Sequence, residues 1–315
     1  MKMRKEGIFY RIKALSNNRI FKLSYLLILF GIVIYCLFRW KNEFFNLITE
    51  ANLWMVPWIF IGFWGATIIF VFIQYYVYRQ MEVHISFLKV LKIVSFANLG
   101  KYVPGKVFFP GNYFLFSREA GVKARDIGVS FVIAQCLWLL SAFICSIPVI
   151  SILSSPLKYS IVFLPLIIGL FIYPRTFNWI FSLLEKIIQK YLKQEVSLRM
   201  SKHLGYVFYI RIILLSLLGW VINGFLVYFS VITFYPLGIG DFPICLSAGA
   251  ISAVIGLIII FAPAGIGVRE GMGTVVLATI VPVEVAFLAM IMIRILATIT
   301  DLSFALVSTF FVHTS

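Results

Sequence analysis

Apolar residues along this chain fall in long unbroken blocks rather than in the alternating or 3.6-residue patterns of a soluble core. A hydrocarbon layer about 30 Å thick is crossed by about 20 apolar residues of helix. Seven blocks approach or reach that length: 23–38, 53–76, 127–150, 157–173, 206–234, 242–262 and 285–312, the first and fourth being short and extended at their ends. Two further apolar stretches are interrupted. Residues 85–116 contain Gly100, Pro104, Gly105, Pro110 and Gly111, and residues 263–282 begin at Pro263 and contain Gly265, Gly267, Gly271 and Gly273. The pattern predicts an all-α, polytopic membrane protein of about seven transmembrane helices plus two broken, re-entrant elements at about 85–116 and 263–282. One transmembrane domain covers 23–315, behind a basic leader over 1–22.

Composition agrees and narrows the function. Hydrophobic residues make up 62% of the 315 and charged residues 12%, with a mean hydropathy of +1.02, against about 25% charged in globular proteins. An ordinary soluble enzyme is excluded. The formal charge of +15 fits cytoplasmic loops and anionic headgroups better than nucleic acid. Cys36, Cys136, Cys145 and Cys245 lie in or beside apolar blocks with no CxxC pair, and no His is spaced for zinc, so neither a metal nor another cofactor is expected. No GxxxxGK[ST] loop is present for nucleotide hydrolysis. The bulky Phe38-Arg39-Trp40 after the first block offers no cleavage site, so that block reads as a retained helix rather than a signal peptide.

Charge orients the spans. Residues 1–22 carry Lys2, Arg4, Lys5, Arg11, Lys13, Arg19 and Lys22 against Glu6, which places the N-terminus in the cytoplasm and the protein in the plasma (inner) membrane. The following loop is balanced and external. The basic stretch 175–211 returns inside, and its apolar positions at helical spacing predict an amphipathic surface helix over 176–202. Residues 80–126 must then start and end on the same side, so 85–116 dips in and returns. Placing Arg269 at the inner interface roots the second broken element there too and leaves the C-terminus outside.

The broken elements hold the candidate chemistry. GKYVPGK at 100–106 combines backbone-freeing Gly100, Pro104 and Gly105 with Lys101 and Lys106, and Arg118 follows; freed N–H groups beside cations suit a phosphate. PAGIGVREG at 263–271 places Pro263, Gly265 and Gly267 next to Arg269 and Glu270, the composition of facing half-helix ends. Arg294 and Asp301 in the last block are ionisable groups at membrane depth, which normally meet a partner or a wet cavity. Arg294 has Glu270 or Glu284 as candidate partners. Gln135 and Asn223 read as interhelical hydrogen bonds, and His84 and His203 receive no role.

GKYVPGK at 100–106, the REAGV at 118–122 and PAGIGVREG at 263–271 together resemble the lysylphosphatidylglycerol synthase transmembrane-region family, over roughly 20–310. The resemblance implies a flippase-like membrane domain, here a stand-alone member without the soluble aminoacyl-transferase domain. The expectation is a lipid translocase, not an enzyme. An anionic phospholipid or lipid-linked envelope precursor would be received by Lys101, Lys106, Arg118, Arg269 and Arg294, with Glu270 and Asp301 neutralising or coupling. The alternatives are a noncatalytic scaffold that partners envelope-biosynthesis enzymes, and a membrane enzyme acting on a lipid-linked substrate; the latter lacks paired acids on the outer face.

Overall fold

The computed structural model describes residues 41–102, 108–152, 204–259, 262 and 265–312, with single positions at 39, 179, 182 and 183. These form helices α1 (Lys41–Thr49), α2 (Met55–Gln80), α3 (Phe87–Leu99), α4 (Phe108–Glu119), α5 (Ala124–Cys145), α6 (Ile147–Ile152), α7 (Tyr206–Ile232), α8 (Phe242–Ile258), α9 (Val268–Leu277) and α10 (Val283–Val312), with 3-10 turns at Gly100–Tyr102 and Ile239–Asp241. Five helical stretches are long and apolar enough to cross a membrane: Met55–Gln80, Ala124–Val149, Tyr206–Ile232, Ile239–Ile258 and Val283–Phe310. They correspond to five of the seven apolar blocks. The leader, blocks 23–38 and 157–173, and nearly all of 176–202 lie outside the described residues. On α2 the apolar side chains divide: Ile59, Val71, Ile73 and Val77 are buried while Trp58, Ile61, Ile68 and Phe72 are exposed. A helix that is apolar on both faces has protein on one and lipid on the other.

Pairwise contacts fix the directions. Asn52 N–H donates to Thr233 O at 2.8 Å, and Arg211 Nη1 to Tyr76 OH at 3.2 Å, so α2 and α7 are antiparallel. Ser230 Oγ donates to Ala289 O at 2.7 Å, joining the end of α7 to the start of α10. Ser247 Oγ donates to Cys145 O at 2.9 Å, putting the end of α5 beside the start of α8. One end of the bundle, here the lower, therefore collects the end of α2, the starts of α5 and α7 and the end of α10. The upper end collects their opposites.

The first broken stretch is a helical hairpin rooted at the lower end. Ser86 caps α3, its Oγ accepting from Lys89 N. Asn112 Nδ2 donates to Phe96 O at 3.3 Å and the Phe96 and Phe116 rings are 4.8 Å apart, so α3 and α4 run antiparallel. Pro110 falls in the first turn of α4, where its missing N–H is no loss; with Gly111 it belongs to the helix rather than to the break. Tyr113 OH donates to Gln74 Oε1 and lies 2.9 Å from Tyr78 OH, which shares a hydrogen bond with Ser117. This buried network ties the hairpin to α2.

The second hairpin is built differently from the sequence expectation. Its arms are α8 and α9, not a lone element after a completed crossing. Gly256 packs against Arg269, a Cβ at Gly273 would collide with Met290, and Arg294 Nε meets Glu270 at 3.0 Å. α9 thus turns back along α8 and lies antiparallel to α10, and Val276, Leu277 and Val281 share one apolar cluster with Cys245, Ala248 and Val285. This hairpin is rooted at the upper end, opposite the first. α10 consequently ends at the lower end, where α7 begins, which reverses the expected side of the C-terminal helix. The described chain is span, hairpin, span (α2, α3–α4, α5) followed by the same series inverted (α7, α8–α9, α10).

Candidate functional site

Both hairpin tips reach the middle of α10. At the first tip, α3 ends at Gly100, where a Cβ would stand 2.5 Å from Phe108 O; glycine lets the start of α4 close against it. The 3-10 turn then presents Lys101 and Tyr102 to α10. Lys101 Nζ lies 2.6 Å from Asp301 Oδ2, and Tyr102 OH donates to the same oxygen at 2.6 Å and lies 3.2 Å from Thr298 Oγ1. At the second tip Gly265 and Gly267 have φ of +72° and +82°, a left-handed backbone that side-chain-bearing residues resist. That turn starts α9 with Gly267 N–H donating to Glu270 Oε2 at 2.6 Å, and Glu270 Oε1 takes Arg294 at 3.0 Å. Each tip is held to α10 by one ion pair.

Between the tips lies a cavity of about 280 Å³, adjoined by a second of about 120 Å³. Its walls come from the midpoints of helices: Phe63 to Ile73 of α2, Gln135 and Trp138 of α5, Ser216 to Asn223 of α7, and Arg294 to Asp301 of α10. Lys101, Arg269 and Arg294 face it from the tips and α10. Among the described residues these three cations meet two carboxylates, Glu270 and Asp301, leaving one positive charge in excess. Arg269 carries it. Its Nε is enclosed and donates to no described residue, while the stem is wedged against Gly256 and Gly265.

Lys101 and Arg269 stand outside the five long apolar helices. Burial pulls the Lys101 ammonium below its usual value, opposed by the Asp301 carboxylate. Burial, reinforced by the Arg294 charge, lowers Arg269 to about 10, so it stays charged at neutral pH. An excess buried cation at the start of a helix, whose N–H groups add to it, makes the local potential positive.

Of the residues expected at the site, the structure brings together Lys101, Arg269, Arg294, Glu270 and Asp301, with Gly100, Gly265 and Gly267 shaping the two turns. Arg294 takes Glu270 rather than Glu284. Lys106, Pro104, Gly105 and Pro263 lie outside the described residues. Arg118 does not belong: it is exposed at the lower root of the first hairpin and donates to Val122 O at 3.3 Å, a whole helix away from the tip. Sequence reasoning missed Tyr102 and the wall formed by Gln135, Asn223, Ser216, Trp138 and Trp220. The signal for that wall is the isolated amides in apolar blocks, for which the sequence alone suggests interhelical hydrogen bonds. No group of three His, Cys, Asp or Glu side chains that could hold a metal occurs among the described residues.

A search of curated proteins returns no match. One family model, described as the lysylphosphatidylglycerol synthase TM region, matches residues 22–304, a range that includes both hairpins and every cavity residue named above. The chain therefore belongs to the lysylphosphatidylglycerol synthase transmembrane-region family, a multi-pass membrane protein with a membrane-lipid-related role.

Proposed function

We propose that this protein is a lipid translocase that passes an anionic phospholipid or a lipid-linked envelope precursor between leaflets, without chemically changing it. The observation that carries this reading is the excess cation at the meeting point of two hairpins inserted from opposite ends. A phosphate entering bare hydrocarbon faces tens of kcal/mol in the Born limit, and a polar cavity at mid-depth removes most of that barrier. Chains shaped as inverted repeats with broken helices at their centre suit alternating access, with one repeat rocking against the other around a fixed site.

Here each tip is latched separately to α10: the lower-rooted one through Lys101 and Tyr102 on Asp301, the upper-rooted one through Glu270 on Arg294. An incoming phosphate bound by Arg269 competes for Lys101 or Arg294. Loosening one latch opens the cavity toward one leaflet while the other stays shut. In the lower-end segments Arg79, Lys89, Lys92, Arg118, Lys123, Arg125 and Arg211 outnumber Glu82, Glu119 and Asp126, whereas the upper-end segments carry only Arg39 and Lys41 beside Glu43, Glu50, Asp241 and Glu284. This excess of cations makes the lower end the cytoplasmic one, in the plasma membrane.

The test is exchange of fluorescent phosphatidylglycerol in proteoliposomes, read by dithionite quenching of the outer leaflet. Wild-type protein should expose inner-leaflet lipid. Arg269→Gln should slow exchange at least tenfold, and Arg118→Gln, outside the cavity, should change it less than twofold. Wild-type vesicles indistinguishable from protein-free ones would overturn the proposal.

A further inference from the structure

The faces of α2 and α7 turned away from the cavity carry charges that translocation through it does not use. On α2 the cavity takes Phe63, Thr67 and Phe70, whereas Ile61, Ile68, Phe72 and Arg79 form an exposed stripe half a turn away. On α7 it takes Ser216, Gly219, Trp220 and Asn223, whereas Val207, Arg211, Leu214 and Leu218 form the exposed stripe. The two stripes adjoin along one seam. Tyr76 stacks on Phe208 with ring centroids 5.8 Å apart and planes at 22°, and Gly62 packs against Leu226. Arg211 Nη1 crosses the seam to Tyr76 OH at 3.2 Å.

An ionised group on a lipid-facing stripe is costly unless it reaches headgroups. Arg211 stands five residues into α7, about 8 Å above its start at roughly 1.5 Å per residue. Side chains lean toward a helix N-terminus, which for α7 is the lower end, so the guanidinium extends toward the headgroups of the lower leaflet. Its contact with Tyr76 uses one of its N–H donors and leaves the rest of the fork open. Arg79, also exposed, lies one turn beyond Tyr76 on α2. No ion pair among the described residues includes either arginine, and Glu82, three positions after Arg79, offsets at most one of the two charges. Guanidiniums suit phosphate oxygens, which they take as a fork. Above them Gly65, where an added Cβ would meet nothing within 4 Å, leaves the outer side of α2 open between the apolar stripes.

From this geometry we propose that the outside of the α2–α7 seam holds one anionic phospholipid of the cytoplasmic leaflet, which is bound there and not transported. Arg211 and Arg79 take its phosphate, Tyr76 OH donates to it, and its chains lie along Phe72, Leu214 and Leu218. Because α2 belongs to the first half of the inverted pair and α7 to the second, this lipid fastens the two halves in the arrangement seen here. The site lies on the faces opposite the cavity and does not depend on the translocase reading.

The experiment places the protein in phosphatidylcholine nanodiscs with a trace of phosphatidylglycerol or phosphatidylcholine carrying a diazirine in one acyl chain, and maps the adducts by mass spectrometry. Labelling of α7 over 207–218 should favour phosphatidylglycerol by about fivefold or more, the factor that roughly one surface cation adds for an anionic lipid. The exposed Leu302, Leu306 and Phe310 of α10 should label equally with both. Arg211→Gln and Arg79→Gln, made separately and together, should bring the ratio at α7 toward one, and Arg269→Gln, which alters the cavity, should leave it unchanged. In the Arg269→Gln background, where the cavity no longer contributes, exchanging bulk phosphatidylcholine for phosphatidylglycerol should raise the thermal midpoint, and adding the two seam substitutions should abolish that rise. A ratio near one in the wild type, enrichment that survives the paired seam substitutions or vanishes in Arg269→Gln, or a midpoint indifferent to the seam arginines would overturn the proposal. Loss of enrichment on adding soluble glycerophosphoglycerol would assign the arginines to a free phosphodiester and overturn it as well.

Discussion

Removing the Asp301 charge, by Asp301→Asn, strands Lys101 at the first tip. At the observed 2.6 Å the gross attraction is about 6 kcal/mol with an effective dielectric of about 20, most of it offset by desolvating the two groups. What the variant loses is therefore less the attraction than the compensation of a cation still held in the protein. Breaking a buried pair from one side costs about 3–5 kcal/mol. The Lys101 side chain is 28% exposed, against 7% for Asp301, so water in the cavity relieves part of the stranded charge and Asp301→Asn belongs near the lower bound, about 3 kcal/mol. Lys101→Met strands the less exposed partner and should cost more. Lys101→Met with Asp301→Leu removes both charges and should return to within about 1 kcal/mol of the parent, because replacing a whole buried pair with apolar side chains is often neutral. The assay is reversible unfolding in mixed micelles with sodium dodecyl sulfate, followed by circular dichroism, with the coupling taken from the full cycle. A loss below about 1 kcal/mol for Asp301→Asn, or a double variant no more stable than either single one, would refute the assignment of this contact as the latch of the first tip.

Two other outcomes bear on the architecture. In a cysteine-free background, Val283→Cys at the start of α10 should react with an impermeant maleimide from the side opposite to His84→Cys and Glu119→Cys at the lower end; labelling of all three from one side would contradict the inverted hairpins. Gly267→Ala, at φ +82°, should cost about 1–2 kcal/mol for its left-handed backbone and should slow lipid exchange through the displaced Glu270; stability and exchange both equal to wild type would show that the turn does not hold the second tip.

The sequence made the lipid-facing helices legible because membrane solvation acts on composition. Lipid tails tolerate any apolar side chain, so a block such as 206–234 reads as a span without knowledge of its neighbours, and α7 follows. The ionisable residues were legible for the same reason: Arg294 and Asp301 stand out in an apolar block because their cost demands a partner. Which partner they take was not legible. Asp301 meets Lys101 and Tyr102 from 200 residues upstream in the chain, and only the approach of the first tip to the middle of α10 creates that contact. Gln135 and Asn223 were visible as polar residues but not as a wall, because two helices that each carry one amide give no sign whether the amides bond to each other or face a space between them.

The side from which the second hairpin enters exposes a limit in reading charge along a membrane chain. The positive-inside rule concerns cations in short loops flanking the spans. Applied to Arg269, it puts the adjacent turn at the cytoplasmic interface, makes 242–262 a finished crossing and leaves 263–282 to start anew on that side. The turn is instead a tip beside the middle of α10, and Arg269 is held in protein rather than in a loop. Its four glycines within nine residues carried the contrary signal. Gly265 and Gly267 at positive φ make the turn tight, and Gly256 of α8 leaves room beside it for the Arg269 stem, which a solvated loop does not need. An arginine embedded in such a turn should be counted as part of a site before it is counted toward topology. Counted that way, neither root of the α8–α9 hairpin carries a Lys or Arg while the roots of the first hairpin carry Arg79, Arg118 and Lys123, so the cation distribution agrees with two hairpins rooted at opposite ends.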